Sequence, residues 1–124
     1  MGRVEDGTPY RWGQLYGALV AVRGLARGGR VVPATERETK DAAGAPRGTF
    51  EALLPHLGMQ ILTARQKGGK VAEATAAAVA DIGRLVPPER MALGGLGPEK
   101  TAAFRLGYAE RTAAYRKEWE DIVD

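Results

Sequence analysis

Apolar residues recur at spacings of three and four along four stretches of this chain, and three of the stretches run into a pair of helix-ending residues. Thr8-Pro9 pairs a capping residue with a proline suited to the first helical position, and Trp12, Leu15, Tyr16, Leu19, Val22 and Ala26 then mark one helical face up to Gly28-Gly29. Phe50, Leu53, Leu54, Leu57, Ile61 and Leu62 predict a second helix from about Thr49 to Gln66, with Pro55 near its first turn and Gly68-Gly69 beyond its end. Val71, Thr75, Ala78, Val79, Ile82 and Leu85 predict a third over Lys70 to Val86, stopped by Pro87-Pro88. Its run Ala76-Ala77-Ala78 permits close approach of a neighbouring helix. After a glycine-rich loop over Met91 to Gly97, Gly97-Pro98 restarts a helix that carries Phe104, Tyr108, Tyr115, Trp119 and Ile122 near one stripe.

No alternating strand pattern competes with these periods, so the expectation is an all-α, single-domain bundle of about four main helices. Its domain spans 1–124, with a flexible 1–7, a long connection over 28–48 holding at most a short helix around Ala34 to Lys40, and an acidic tail over 118–124. A chain of 124 residues is ordinarily one core. Aromatic residues make up only 6%, which leaves much of the burial to a few large side chains. An aromatic stripe at helical spacing is therefore read as core rather than as a platform for stacking bases.

Cysteine is absent and His56 is the single histidine, so a disulfide framework and a structural zinc site are both out of reach. The polar start Met1 to Asp6 lacks a signal-peptide pattern, and no stretch approaches the roughly 18–20 apolar residues of a membrane span. These features predict a cytoplasmic protein. Catalytic constellations are also missing. Serine does not occur, so His56 has neither a serine nor a cysteine nucleophile beside it, and Glu36 and Glu38 lie among Arg37 and Lys40 as a solvated charge run. Gly94-Gly95-Leu96-Gly97-Pro98-Glu99-Lys100-Thr101 imitates a phosphate-binding loop, but Glu99 stands where the glycine before the lysine is required. The expectation is a protein that is not an enzyme and uses no cofactor.

Charge is the informative property. Eighteen Lys and Arg face 15 Asp and Glu, and setting aside Glu118, Glu120, Asp121 and Asp124 leaves 18 against 11, a balance of +7. Arginine dominates the positive charge, and guanidinium groups bind phosphate bidentately. Two clusters fall at helix breaks: Arg23, Arg27 and Arg30 at the end of the first helix, and Arg65, Lys67 and Lys70 around Gly68-Gly69. Their spacing predicts that the first cluster projects from one exposed side of its helix. Antiparallel packing of the first two long helices would put the clusters at opposite ends.

Three blocks, in order along the chain, resemble the small subunit of type I-C CRISPR effector complexes (Cascade), which corresponds to the C-terminal region of that system's large subunit. They are Tyr10-Arg11-Trp12-Gly13-Gln14-Leu15-Tyr16-Gly17-Ala18-Leu19, Ala45-Pro46-Arg47-Gly48-Thr49-Phe50-Glu51-Ala52-Leu53-Leu54, and Phe104-Arg105-Leu106-Gly107-Tyr108-Ala109-Glu110-Arg111. The last is similar to the family's Phe-x-Leu-Gly-Tyr with an arginine three positions on, and departs from it at Ala109-Glu110, where the family continues with a second aromatic and His-Gln. The resemblance implies a non-catalytic helical subunit, present in more than one copy and packed against the backbone and large subunits. It implies contacts to guide RNA and target DNA, for which Arg105 and Arg111 join the two clusters as candidate nucleic-acid-binding residues. A phage-encoded or stand-alone decoy of the same fold is the alternative reading.

Overall fold

The computed structural model describes residues 8–86 and 96–123. Among these residues five α-helices follow one another: α1 Thr8–Gly28, α2 Glu36–Gly44, α3 Pro46–Gln66, α4 Gly69–Leu85 and α5 Pro98–Glu118, with a 3-10 turn at Glu120–Ile122. The all-α expectation holds, with five helices instead of about four. The additional helix lies in the connection, where Thr35 and Glu38 form a reciprocal capping box that satisfies the first free N–H groups of α2. The Thr-x-x-Glu spacing of that device is visible in the sequence, and α2 overlaps the short helix expected around Ala34 to Lys40.

α3 begins earlier than its apolar spacing implies, with Pro46 in the first turn and Pro55 in the interior. Pro55 is exposed. The carbonyl left without an N–H donor there can turn to water, so the helix continues through it. The predicted stop at Pro87-Pro88 and most of the loop over Met91 to Gly97 lie outside the described residues.

α1 is the hub. Fourteen of its 21 residues are buried, including Ala18, Val20, Ala21 and Leu25, so it is surrounded and not merely amphipathic. Its stretch from Trp12 to Val22 contains no charge, as a helix enclosed on all sides requires. α5, α3 and α4 all pack against it. A Cβ added at Gly13 would stand 1.9 Å from the carbonyl oxygen of Phe104, and one at Gly107 would stand 2.1 Å from that of Tyr10. The two helices therefore touch backbone to backbone at this crossing, which only glycine permits.

Gly13 faces Phe104 and Tyr108 while Gly17 faces Arg111 and Thr112, so α1 and α5 run the same way. Tyr16 packs on Phe50 and Gly29 lies against Lys67, so α3 also runs parallel to α1. Arg11 reaches the Arg84 carbonyl while Gly29 adjoins Val71, which makes α4 antiparallel to α1. The antiparallel pairing that the connection between the first two long helices also allows is not the one adopted. The connection that carries α2 is long enough to return the chain to the starting end of α1.

The centre of the core is a ring cluster. Tyr16 lies 6.5 Å from Phe50, 5.8 Å from Phe104 and 5.4 Å from Tyr108, centroid to centroid. Each of the three blocks described above contributes to it. Tyr115 is buried and stacks on the half-buried Trp119 at 4.5 Å, so most of the α5 aromatic stripe is core, as read from the sequence. On the α4 side Ala74 and Ala78 are fully buried, and these are the alanines that admit α1, whereas Ala76 is exposed.

Candidate nucleic-acid interface

Because α1 and α3 run in parallel, both end at the same end of the bundle, where α4 begins. The two basic clusters, which antiparallel packing would have set at opposite ends, are therefore neighbours. The contact is close: a Cβ on Gly29 would meet Val71 Cγ2 at 3.4 Å and Lys67 Cδ at 3.5 Å. Gly29 and Gly68 both have φ of +70°, the left-handed turn that lets each chain leave its helix at this corner.

Arg23, Arg27 and Arg30 line a cleft of about 500 Å³ together with Val32, Pro33, Thr35 and Glu38. Gly24 allows its floor to form, since a side chain there would stand 2.7 Å from the Arg30 carbonyl oxygen. Arg23 does not project freely, contrary to the reading from spacing. It is 16% exposed and its Nη1 lies 3.0 Å from Glu38. The Thr35 backbone N–H and the Arg23 guanidinium together overcome the effect of burial and hold the Glu38 carboxyl below its usual range. Arg27 and Arg30 are exposed, without a carboxylate partner among the described residues.

The second cluster divides in the same manner. Arg65 and Lys67 are exposed and have no carboxylate partner among the described residues, whereas Lys70 is bonded to Asp121. That bond and the charge of Asp121 keep the Lys70 ammonium above its ordinary pKa. The acidic residues near the C-terminus are consequently not a detached tail. The Val31 N–H donates to the Ile122 carbonyl at 2.8 Å, and Val31 and Val123 form an isolated parallel bridge. Asp121 sits beside the basic corner, so the +7 balance is not spatially separate from its counter-charge.

Arg105 and Arg111, carried by the third block, lie elsewhere. Arg105 pairs with Glu36 at 2.5 Å, joining α5 to α2. Arg111 is built into the bundle: a Cβ added at Gly17 would stand 3.1 Å from its stem, its guanidinium lies 5.6 Å above the Tyr115 ring, and its Nη1 is 3.4 Å from Asp81. Asp81 also accepts from Tyr115 at 2.6 Å and from Arg84 at 2.7 Å. Burial pushes the Asp81 carboxyl up, but these donors outweigh it and hold the group below its usual range. Burial and the adjacent Asp81 carboxylate push the Tyr115 hydroxyl well above the ordinary phenol value.

Of the eight candidate residues, the structure brings Arg23, Arg27, Arg30, Lys67 and Lys70 to one corner, with exposed Arg65 in the turn of α3 just before it. It commits Arg23, Lys70, Arg105 and Arg111 to internal ion pairs. Glu36 and Glu38 do not form a carboxylate pair, because each takes its own arginine. His56 is exposed on α3, and Glu99 and Lys100 are exposed in the first turn of α5. No group of three or more His, Asp or Glu among the described residues is arranged to hold a metal ion. No described helix is long and apolar enough to cross a membrane. Compared with protein-family models, curated proteins and solved structures, the chain finds no match.

Proposed function

We propose that the chain is a non-catalytic small subunit of an RNA-guided CRISPR effector complex, holding nucleic-acid backbone at its basic corner while the bundle packs against neighbouring subunits. The observation that carries this reading is the convergence of Arg27, Arg30, Arg65 and Lys67, all exposed and without carboxylate partners among the described residues, at the shared end of α1 and α3. Arg23 and Lys70 stand in the same corner with their charges already engaged. Such an arrangement suits phosphates, which demand positive charge and donors but no particular base. The three resembling blocks support the same reading, because they supply Tyr16, Phe50, Phe104 and Tyr108 to a single ring cluster. The partners that follow are guide RNA, target DNA, and the backbone and large subunits.

The test is a salt series on target-DNA retention by the assembled complex, comparing the wild-type chain with Arg27→Ala/Arg30→Ala/Arg65→Ala/Lys67→Ala. Each exposed cation contributes within about 0.5 kcal/mol to folding, so the quadruple variant keeps its helicity and assembles. The slope of log affinity against log salt falls by up to about 4, near one unit for each lost phosphate contact. Equal slopes would remove the electrostatic role. A chain that never co-purifies with guide RNA and other effector subunits would remove the whole reading.

A further inference from the structure

α3 is the helix the rest of the bundle leaves least covered. From Ala52 to Ala64 it carries no Asp, Glu, Lys or Arg, and between Glu51 and Thr63 no residue is buried. Leu53, Leu57 and Ile61 are partly covered by the core, but Leu54 is 49% exposed, Leu62 is 50% and Met59 is 67%. Among the described residues nothing lies over this outer side. An apolar strip of this kind on an uncharged helical segment marks a contact surface.

The strip has a symmetry that singles out its occupant. Glu51, Leu54, Gly58, Leu62 and Arg65 follow at steps of three, four, four and three, so they lie along one stripe of the helix. The pattern is palindromic in chemistry as well as spacing. Leucines stand four residues to either side of Gly58, and seven residues out an acid stands on one side and a base on the other. In two antiparallel helices crossing at residue 58, each position before it faces the equivalent position after it on the other copy. Leu54 then meets the partner's Leu62, and Glu51 meets the partner's Arg65, each twice by symmetry.

We infer that α3 pairs with α3 of a second copy of this chain, antiparallel and two-fold symmetric about Gly58. A side chain added at Gly58 would meet nothing within 4 Å, so the bundle itself does not require glycine there. A second helix crossing at that point does, because close helix axes leave no room for a Cβ. Glu51 is only loosely engaged in the monomer, 3.5 Å from Arg47 and 65% exposed, and can turn to an incoming arginine. A parallel pairing would set Glu51 against Glu51 and Arg65 against Arg65, which the charges disfavour. The inference rests on α3 alone and stands whether or not the chain binds nucleic acid.

Sedimentation equilibrium of the purified chain tests it. The wild type gives twice the 13.2 kDa chain mass, and Leu62→Glu gives the single-chain mass with an unchanged circular dichroism spectrum. Glu51→Arg and Arg65→Glu each raise the dimer Kd about tenfold or more by setting like charges together, and the two combined return it to within about threefold of wild type. Gly58→Leu likewise gives the single-chain mass, because its side chain fills the crossing, whereas the Gly83→Leu control on α4, where a Cβ also meets nothing within 4 Å, leaves the dimer intact. A wild type that stays a single chain at about 100 μM, well above a micromolar Kd, overturns the inference. So does a double charge swap no better than its parts. A monomer that instead co-sediments with phosphatidylcholine vesicles would assign the strip to a lipid surface and overturn it as well.

Discussion

Gly13 and Gly107 stand where a methyl group would occupy the backbone of the opposing helix, and this is unlike the situation of most other glycines in the chain. Gly83, inside α4, has nothing within 4 Å of a Cβ. The same substitution should therefore have opposite effects at the two kinds of site. Gly107→Ala has to push α1 and α5 apart, and is expected to cost at least about 3 kcal/mol, a large share of a small domain's stability. Gly83→Ala is expected to gain roughly 0.5–1 kcal/mol, since it relieves only the entropy that glycine loses in a helix. Thermal or urea unfolding of the two variants measures both. Equal effects would mean that the crossing is looser than its geometry. In sequence terms Gly107 is legible only as part of Phe-Arg-Leu-Gly-Tyr, because spacing alone does not distinguish a glycine under a backbone from one facing water.

At the scale of elements, the joint between α4 and α5 is electrostatic and depends on Asp81. Tyr115, Arg111 and Arg84 all point at that carboxylate, and its depressed pKa sets the sign of the pH dependence. A carboxylate held lower in the folded chain than in the unfolded one adds stability that is complete above about pH 4 and is lost as pH falls through the folded value. Glu38, likewise depressed, adds to the same acid limb. Asp81→Asn is thus expected to lose about 1–3 kcal/mol at neutral pH and to show a shallower fall in melting temperature between pH 5 and pH 3. Parallel acid limbs in the two proteins would show that the joint carries no pH dependence. Helix positions were readable because Gly-Gly, Gly-Pro and the three-four spacing act locally. The ion pairs of Arg23 and Arg111 were not readable, for the opposite reason. Their partners, Glu38 and Asp81, are 15 and 30 residues away in sequence, beyond what charge patterning along one helix can register.

The whole molecule is organised around α1, and direction was the least legible property. Periodicity marks a helix without saying which way it runs, and the parallel course of α1, α3 and α5 depends on the returns made between them. That course brought two basic clusters to one corner and drew the acidic C-terminal turn to the same place. It also has a consequence in time. The tightest crossing joins Gly13 to Gly107, 94 positions apart, so the contact that encloses α1 closes a loop across most of the chain. Loop closure of that length is entropically costly, and non-local contacts slow folding. Stopped-flow refolding is therefore expected to show a millisecond phase in which Trp12 and Trp119 fluorescence change together, slower than helical bundles built from neighbouring hairpins. Completion in microseconds would refute this. On the ribosome the order is fixed: α1 emerges first and α5 last, so the uncharged stretch from Trp12 to Val22 must wait for its main partner. For that interval the nascent chain exposes apolar surface, and synthesis of α5 is the step that completes its cover.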